Sequence, residues 1–386
     1  MYDLIIKNGH VIDPSQSLDT RADLYVKDGV IAAPEHGLEN AEGLKEIDAD
    51  GCFVVPGLID SHMHVFQNVS EFGTKADLIC IPSGVTTAID AGSAGLYNFE
   101  SFYKGPVMHS TVTIKSLIHP SHTGVQGVPH EEVQNPLYCT PEHLRLFFHE
   151  HGDVVVGIKI RVHSHVTAGF GLRALEAAAK TALGLRSEGF RCNLVIHLGD
   201  LDQAFSLADV LSFLSPGDVV THMYRQGETT ILGADGAVMP EVWAAQRRGI
   251  LFDTGCSRPY ISLGVLKAAL EQGFYPDTIS SDLTRRTCYW RPAFSMDHKM
   301  TLYLNAGLPF EDIVRATTIT PATVFGLTEE AGTLQAKRPA DVAILKVIDK
   351  EHVIEDLYGG FMRADRMVVP MATVKAGVVA FQQIFL

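Results

Sequence analysis

The chain has 386 residues, of which 46% are hydrophobic and 20% charged, and 45 acidic against 31 basic residues give it a net charge of −14. This mixture is typical of a large enzyme with a well-buried core and argues against intrinsic disorder. The acidic balance disfavours non-specific binding to nucleic acids or membranes. We therefore expect a small-molecule substrate, with no nucleic acid or membrane partner, and leave open whether the chain forms a homo-oligomer.

The first residues and the cysteines predict a cytoplasmic protein. The opening stretch MYDLIIKNGHVIDP carries early charges and does not read as a signal peptide. No window of the sequence approaches 18 uninterrupted apolar residues, so we expect no membrane span. The six cysteines form no CxxC pair, and reduced thiols are the expectation for a chain of this length.

Both ends of the chain are rich in predicted strands. Residues 1–55 contain the apolar runs DLIIKNGHVID and ADLYVKDGVIAA, in which Asn-Gly and Asp-Gly are hairpin signals. Residues 333–386 have the same character, as in ADVAILKVI and RMVVPMATVKAGVVAF. Neither end shows a helix-length periodic stretch. We therefore predict one small β-sandwich domain formed by both termini.

The middle of the chain, residues 56–332, alternates between apolar strand-like runs and helical patterns. The runs include TTAIDAG, DVVVGIKIRV and CNLVIHLG, and LRALEAAAKTALGLRSEG is one of the helical patterns. Such alternation predicts a parallel sheet covered by helices. With VVPGLIDSHMH as the first strand we count eight, which favours an α/β fold of the (β/α)8 TIM-like barrel type. The alternative is an open doubly wound sheet, but no GxGxxG follows the first strand.

The polar residues at the carboxyl ends of the predicted strands are informative, because barrel active sites are built there. His62 and His64 follow the first strand, and residues two apart on a strand share a face. Both imidazoles could bind one metal ion. Taken alone, this pair is equally compatible with ordinary surface or core histidines.

Lys159 lies within the apolar strand VVVGIKI, where a buried ammonium is strongly penalised unless it is paired or chemically altered. Carboxylation by carbon dioxide would turn its amine into a carbamate anion able to bridge two metal ions. The alternative is a lysine whose amine reaches out to solvent at the strand end.

Three further strands end in a possible metal ligand: His197 in CNLVIHLGD, His222 in DVVTHMY and Asp282 in DTISSDL. Each could separately be a satisfied core histidine or a turn-capping aspartate. Five strand ends on one face of a predicted barrel, however, supply HxH, Lys, His, His and Asp in that order. The combination predicts a metal site.

These residues resemble the amidohydrolase superfamily, in its subgroup with a carboxylated lysine and two divalent metals. The resemblance rests on VPGLIDSHMH, the strand-end residues just named, TITPATVFGL and PADVAIL, and it covers nearly the whole chain. More narrowly, GIKIR, IHLGD, PGDVVTHMY and QGFYPDTISSDL are similar to a dihydroorotase-like or deacetylase-like bacterial branch. That branch implies hydrolysis of acetyl esters or amides next to a carboxylate.

The resemblance implies a ligand for each position of a binuclear site. His62 and His64 would hold one metal and His197 and His222 the other, with carboxylated Lys159 as the bridge. Asp282 would ligate the first metal and act as the catalytic base, taking a proton from a hydroxide shared by the two cations and passing it to the leaving group. Zn²⁺ is expected, although the same ligands would accept Mn²⁺, Fe²⁺ or Co²⁺.

The substrate contacts are predicted from position alone. Arg161 follows Lys159 by two residues, so it shares the strand face and could clamp a substrate carboxylate; a structural salt bridge is the alternative. His119, Tyr224 and Cys256 follow other strands and are further candidates, with ordinary loop or core packing as the alternative for each. The chain departs from the family pattern in the loops that carry two of them, in Gly255-Cys256-Ser257 and Ile118-His119-Pro120-Ser121-His122.

The leading prediction is therefore a metal-dependent hydrolase of the ester or amide bond of a small carboxylate-bearing substrate, similar to a deacetylase. A cyclic-amide hydrolase of the dihydroorotase or hydantoinase kind would use the same metal site. A mononuclear deaminase is a third reading, against which Lys159 counts. A non-catalytic scaffold is a fourth, and it would be expected to lack metal ligands that this chain retains.

Overall fold

The structure is a computed structural model, and it describes residues 1–33, 42–127, 132–167, 169–290 and 295–384. Within this part of the chain, the strands of the two ends are β1 (Tyr2–Lys7), β2 (His10–Asp13), β3 (Leu18–Arg21), β4 (Leu24–Lys27), β5 (Val30–Ala32), β6 (Gly43–Asp48), β7 (Phe53–Pro56), β15 (Val342–Glu355), β16 (Phe361–Lys375) and β17 (Val378–Gln382). The strands of the middle are β8 (Leu58–Met63), β9 (Val85–Gly95), β10 (Thr113–His119), β11 (Val155–Val162), β12 (Asn193–Leu198), β13 (Val219–Thr221) and β14 (Leu251–Asp253).

All the described α-helices lie in the middle of the chain, between β8 and β15. They are α1 (Ala76–Cys80), α2 (Phe99–Phe102), α3 (Pro141–His151), α4 (Ser164–Thr167), α5 (Arg173–Ser187), α6 (Leu207–Ser212), α7 (Pro240–Arg247), α8 (Leu263–Glu271), α9 (Met296–Asn305), α10 (Phe310–Thr317) and α11 (Ile319–Val324). Single turns of 3-10 helix occur at Ile81–Ser83, Pro136–Tyr138 and Arg258–Tyr260, and a π-helical turn at Tyr103–Val107. None of these described helices is long and apolar enough to cross a membrane.

The middle strands form a parallel barrel. Strands β8 to β14 pair in chain order, each parallel to the next. The segment 278–283 closes the ring, because Thr278 pairs in parallel with Asp253 of β14 and Leu283 with Met63 of β8. The prediction of an eight-stranded TIM-like barrel is confirmed, and the eighth strand is reduced to these bridges.

The barrel interior is filled with apolar side chains at one end. One residue from each of β8 to β13 packs there against α11 and the turn that follows it; these strand residues are Ile59, Ile89, Leu117, Val156, Val195 and Val219. Strands buried on both faces need such near-continuous apolar runs, and β11 is buried along almost its whole length. The polar residues at the carboxyl ends of the strands are thereby left together at the opposite end.

Strands from both termini form the second unit, as predicted. One sheet has the order β5-β4-β1-β6, and the other has the order β17-β16-β15-β7-β2-β3, in which β7 pairs antiparallel with β15. Apolar residues of both sheets share one core, among them Leu4, Val26, Val54 and Val342. The chain leaves this unit after β7 and returns to it at β15, so neither terminal segment forms its core alone.

The hairpin of β15 and β16 reaches the barrel. At its tip, the Asp356 carboxylate accepts a hydrogen bond of 2.7 Å from the backbone N–H of Leu263, at the start of α8. The hydroxyl of Tyr358 donates to the carbonyl oxygen of Pro259 at 2.7 Å. The tip of the terminal unit therefore holds the loop that follows β14.

Candidate active site

The predicted metal ligands meet at the carboxyl end of the barrel. His62 lies in β8, Lys159 in β11 and His197 in β12, while His222 directly follows β13 and Asp282 belongs to the closing segment. These five side chains and that of His64 are all buried. The ligand atoms of His62, His222 and Asp282 lie within 4.8 Å of one another. Residues from five strand ends therefore surround one small space.

Backbone conformation helps to bring two of them in. His222 has φ 72° and Asp282 has φ 48°. Both values lie in the left-handed region, which few residues other than glycine adopt. Such residues cost of order 1–3 kcal/mol each and cluster at functional sites. At His222 the turn breaks the alternation of the strand, so that Thr221 and His222, although adjacent in sequence, both face the site.

A chain of hydrogen bonds fixes the tautomer of His62. The Thr221 hydroxyl donates to the Asp253 carboxylate at 2.7 Å, so its only proton is committed to Asp253. Thr221 Oγ1 also lies 2.9 Å from His62 Nδ1, and it must accept there. His62 is therefore protonated at Nδ1, and its Nε2 carries the lone pair needed for a metal ion.

Hydrogen-bond donors around the Asp253 carboxylate keep it ionised. It also accepts hydrogen bonds from the hydroxyls of Thr278 at 2.7 Å and Ser280 at 2.6 Å. Burial acts to raise the pKa of Asp253, but His62 and these hydroxyls outweigh it and hold the pKa below its usual value. An ionised carboxylate can only accept hydrogen bonds, so the hydroxyl of Thr221 must be the donor in its contact with Asp253.

His222 and His197 form the second part of the cluster. His222 Nδ1 lies 2.8 Å from the carbonyl oxygen of Gly255, which can only accept, so His222 carries its proton there. Its Nε2 faces His197 Nδ1 at 2.9 Å. Burial, the dominant influence, holds the pKa values of both imidazoles well below the ordinary range, so both are neutral. Neutral imidazole is the form that binds metal ions.

Lys159 is a buried amine in the same space. Its Nζ lies 3.2 Å from His62 Nε2, and among the described residues no carboxylate forms an ion pair with it. Burial lowers the pKa of Lys159 to about 7. Gly92 of β9 makes room for the side chain, because a Cβ at that position would lie 2.9 Å from the Cβ of Lys159.

The Asp282 carboxylate borders both first-strand histidines. Its Oδ1 lies 3.4 Å from His62 Nε2 and 3.5 Å from His64 Nε2. Burial acts to raise the pKa of Asp282, but the neighbouring imidazoles outweigh it and hold the pKa well below its usual range. The carboxylate is therefore available both as a ligand and as a proton acceptor.

This donor set fits divalent transition metals. Four imidazoles and one carboxylate converge in a buried space, and imidazole with carboxylate suits zinc, iron, cobalt and manganese. Their orientation fits as well, since the tautomers of His62 and His222 leave Nε2 of each ring pointing toward the cluster. Lys159 is the exception among the described groups of the cluster, because an amine that takes up a proton becomes a cation and would repel metal ions.

A cavity of about 400 Å³ opens above the cluster. Its floor includes most of the ligands already described, and its wall contains three arginines and several apolar side chains. The described lining consists of His62, His64, Phe72, Val125, Lys159, Arg161, His197, Ser257, Arg258, Pro259, Tyr260, Asp282, Thr284, Arg286, Thr287 and Leu357. A space of this size accommodates a small molecule with one face against the ligands.

Arg161 lines this cavity, but its guanidinium is already paired. Nη1 donates to the Glu132 carboxylate at 3.0 and 3.3 Å, and the Glu132 side chain is fully buried. The salt bridge that the sequence left as the alternative is therefore present. The predicted contact of Arg161 with a substrate carboxylate stays a prediction.

The other three predicted substrate contacts lie outside the described lining of the cavity. His119 is fully buried, with its ring nitrogens on Ser121 and Gln134, and burial lowers its pKa to about 4. The Tyr224 hydroxyl donates to the Phe274 carbonyl oxygen at 3.2 Å, inside the main core. Cys256 is also in the core, where its Sγ lies 2.8 Å from the hydroxyl of Tyr303. The substrate contacts predicted for these three residues stay predictions.

Sequence reasoning missed two residues of the cavity wall, Arg258 and Tyr260. Tyr260 stacks on His222 with ring centroids 4.1 Å apart, and it also meets the edge of His197 at 5.0 Å. Arg258 precedes it in the same cavity wall. The only available signal was their position a few residues after the strand GILFDTG. Asp253, which ends that strand, was recognisable as a polar strand end in the same way as Asp282.

Comparisons with known proteins agree with this architecture. The model of the amidohydrolase family matches residues 53–379. A deacetylase of Enterococcus faecalis is 27% identical over 377 residues, which cover 97% of this chain and 98% of the relative. A dihydroorotase of Aquifex aeolicus is 23% identical, with 92% of both chains covered.

Solved structures match over almost the full length. The crystal structure of an adenine deaminase superimposes with a TM-score of 0.88 and 26% identity, covering 99% of this chain and all of the other. That of a dihydroorotase gives a TM-score of 0.85 at 26% identity, covering 97% and 98%. With the family match over most of its length, the chain belongs to the amidohydrolase family and is a hydrolytic enzyme that acts on carbon–nitrogen bonds.

Proposed function

We propose that this enzyme is a metal-dependent, deacetylase-like hydrolase that cleaves the amide or ester bond of a small carboxylate-bearing substrate. The observation that carries the proposal is the convergence of four imidazoles, one ionised carboxylate and a buried amine at the floor of the cavity. The deacetylase relative, matched along almost its whole length, supports the reaction class.

Each ligand has an assigned place. His62 and His64, with Asp282 beside both, would hold one ion, and His197 with His222 the other. Lys159 lies next to His62, where an anion would offset two cations and an ammonium would not. The amine nitrogen would add to the carbon of carbon dioxide and lose one proton, which yields a carbamate with a net negative charge. Zinc is the metal we propose.

The chain's own residues then perform the proton transfers. Bound divalent ions would lower the pKa of a water to about 7 and polarise the scissile carbonyl. Asp282, ionised and at the cavity floor, would take the proton of the attacking water and return it to the leaving nitrogen or oxygen. The ring of Tyr260 covers His222 and His197 and would exclude bulk water from that side of the cluster.

A second candidate is hydrolysis of a cyclic amide. It is favoured by the structural match to a dihydroorotase, and the same ligands would serve it. The match to an adenine deaminase raises deamination as a third candidate reaction. These reactions would use the same predicted ligands at the cavity floor and differ in the substrate that the cavity holds. Assays with different substrates must therefore separate them.

Two measurements test the proposal. Protein purified with zinc and bicarbonate should contain two metal ions per chain, and His197→Ala should lower that number, whereas replacement of the exposed His143 by alanine should not. The loaded enzyme should then be assayed against N-acetyl amino acids, acetoxy acids, cyclic imides and adenine. Turnover of the first two groups supports the leading function, and turnover of only a cyclic imide or adenine replaces it. A protein with one metal or none, and without activity on any group, contradicts the proposal.

A further inference from the structure

The cavity wall contains three arginines, and they differ in how their charge is balanced. Arg161 is paired with Glu132, and Arg286 is paired with Glu71. For Arg258, no carboxylate within the described ranges forms an ion pair or hydrogen bond, and its buried Nε has no hydrogen-bond partner there either. Arg258 is therefore the arginine of the cavity wall whose charge no described carboxylate balances, and its guanidinium is suited to pair with an anionic ligand.

The environment of Arg258 leaves its donors available. The guanidinium carbon lies 4.9 Å from the centre of the Trp290 ring and over its face, an attraction that uses the face of the cation. The N–H groups lie in the plane of the guanidinium, and they form a fork that matches a carboxylate. Trp290 therefore positions the cation without consuming its hydrogen-bonding capacity.

The loop that carries Arg258 is held from three sides. Tyr260, two residues on, stacks on His222 of the metal cluster. Tyr358, at the tip of the β15–β16 hairpin, donates to the Pro259 carbonyl oxygen. The backbone N–H of Ser262 donates to the carbonyl oxygen of Tyr224 at 2.8 Å. A site fixed in this way loses little conformational freedom when an anion binds.

From these observations we infer that Arg258 is the residue that binds the substrate carboxylate and selects for anionic substrates. The inference rests on the proposed hydrolase function and deepens it by assigning the determinant of charge specificity. Arg258 lines the same cavity as Lys159 and Asp282, so a bound carboxylate would share the cavity with a scissile carbonyl placed over the ligands. A charge-assisted pair of this kind strengthens binding about ten- to a hundredfold.

Steady-state kinetics test the inference with matched substrates and a matched variant. The pair is the best acyl carboxylate found for the wild-type enzyme and its own primary amide. Arg258→Met should raise KM for the carboxylate about ten- to a hundredfold and change the amide little. Arg258→Lys keeps the charge but not the forked pair of N–H donors, so its KM for the carboxylate should lie between those of the wild-type enzyme and Arg258→Met. Arg286→Met, in the same wall but already neutralised by Glu71, should treat both substrates alike. Equal losses for the two substrates in Arg258→Met, or charge selectivity lost in Arg286→Met, would overturn the inference.

A binding measurement separates this inference from the proposed reaction. The chain has two tryptophans, so Trp243→Phe leaves Trp290, under the Arg258 guanidinium, as the only fluorescent indole. N-acetylglycine should change the Trp290 emission saturably, N-acetylglycinamide should not, and Arg258→Met should abolish the response. This result would stand even if the protein hydrolysed none of the acyl substrates, in which case the proposed function alone fails. No saturable response, or a response retained in Arg258→Met, contradicts the inference.

Discussion

The replacement of Thr221 by valine tests whether Thr221 sets the tautomer of His62, one of the predicted metal ligands. Valine has nearly the same shape, so the change removes the hydroxyl between Asp253 and His62 and little else. Asp253 keeps its hydrogen bonds from Thr278 and Ser280, whereas the Nδ1–H of His62 loses its acceptor in a buried site. A buried donor without a partner costs about 1–3 kcal/mol.

The expected effects follow from that loss. The free energy of unfolding of the metal-free protein should fall by about 2 kcal/mol, measured by denaturant titration. The dissociation constant for zinc, measured by chelator competition, should rise about ten- to a hundredfold, because His62 no longer holds Nε2 toward the cluster. Thr86→Val is the matched control: Thr86 is fully buried, and its hydroxyl has no partner within the described part of the chain, so this change should cost nothing. Zinc affinity that is unchanged in Thr221→Val, or lowered equally in Thr86→Val, would show that Thr221 does not set the tautomer of His62.

Three further changes probe other parts of the site. Asp282→Asn should keep the fold, yet lower kcat about 10²- to 10⁴-fold, since an amide cannot accept the proton; near-wild-type turnover would assign the base elsewhere. Arg161→Met leaves the buried Glu132 carboxylate unpaired and should lower the free energy of unfolding by about 3 kcal/mol, part of which Glu132→Gln in the same chain should restore. His119 has a folded pKa of about 4, below the ordinary value of about 6.5, so its contribution to stability is full above pH 6.5 and is lost as the pH falls toward 4. In metal-free protein, His119→Asn should therefore flatten the dependence of the unfolding free energy on pH in that window, and an unchanged slope would contradict the assignment.

The fold was predictable because its signals are local and repeated. The barrel strands are apolar runs with polar ends, and several are followed by helices rich in Ala and Leu, such as α5, so the periodicity alone predicts the layers. The terminal strands were equally clear as strands. Their pairing across the whole chain, with β7 beside β15, could be expected only because both ends are rich in strands and flank a middle of different character.

The site was predictable where a side chain's direction follows from strand alternation, and it was not where the backbone turns. His62 and Lys159 lie within strands and face the barrel mouth as their positions indicate. Tyr224 and Cys256 follow the ends of their strands, after His222 and Gly255 with positive φ values of 72° and 47°. Beyond such a turn, alternation no longer indicates direction, and both side chains enter the core.

The least predictable part of the site is also the part best suited to determine which substrate it accepts. Leu357 lies in the cavity wall, although it belongs to the terminal unit and not to the barrel. Its neighbours Asp356 and Tyr358 bind the segment from Pro259 to Leu263, which carries Tyr260 and adjoins Arg258. No local pattern could indicate a contact between residues about a hundred positions apart in the sequence. The predicted metal ligands, by contrast, all lie on barrel strands, directly after them or in the closing segment 278–283. The chemistry is therefore fixed by the barrel, while the shape and charge of the cavity depend on a hairpin and a loop that can vary without disturbing it.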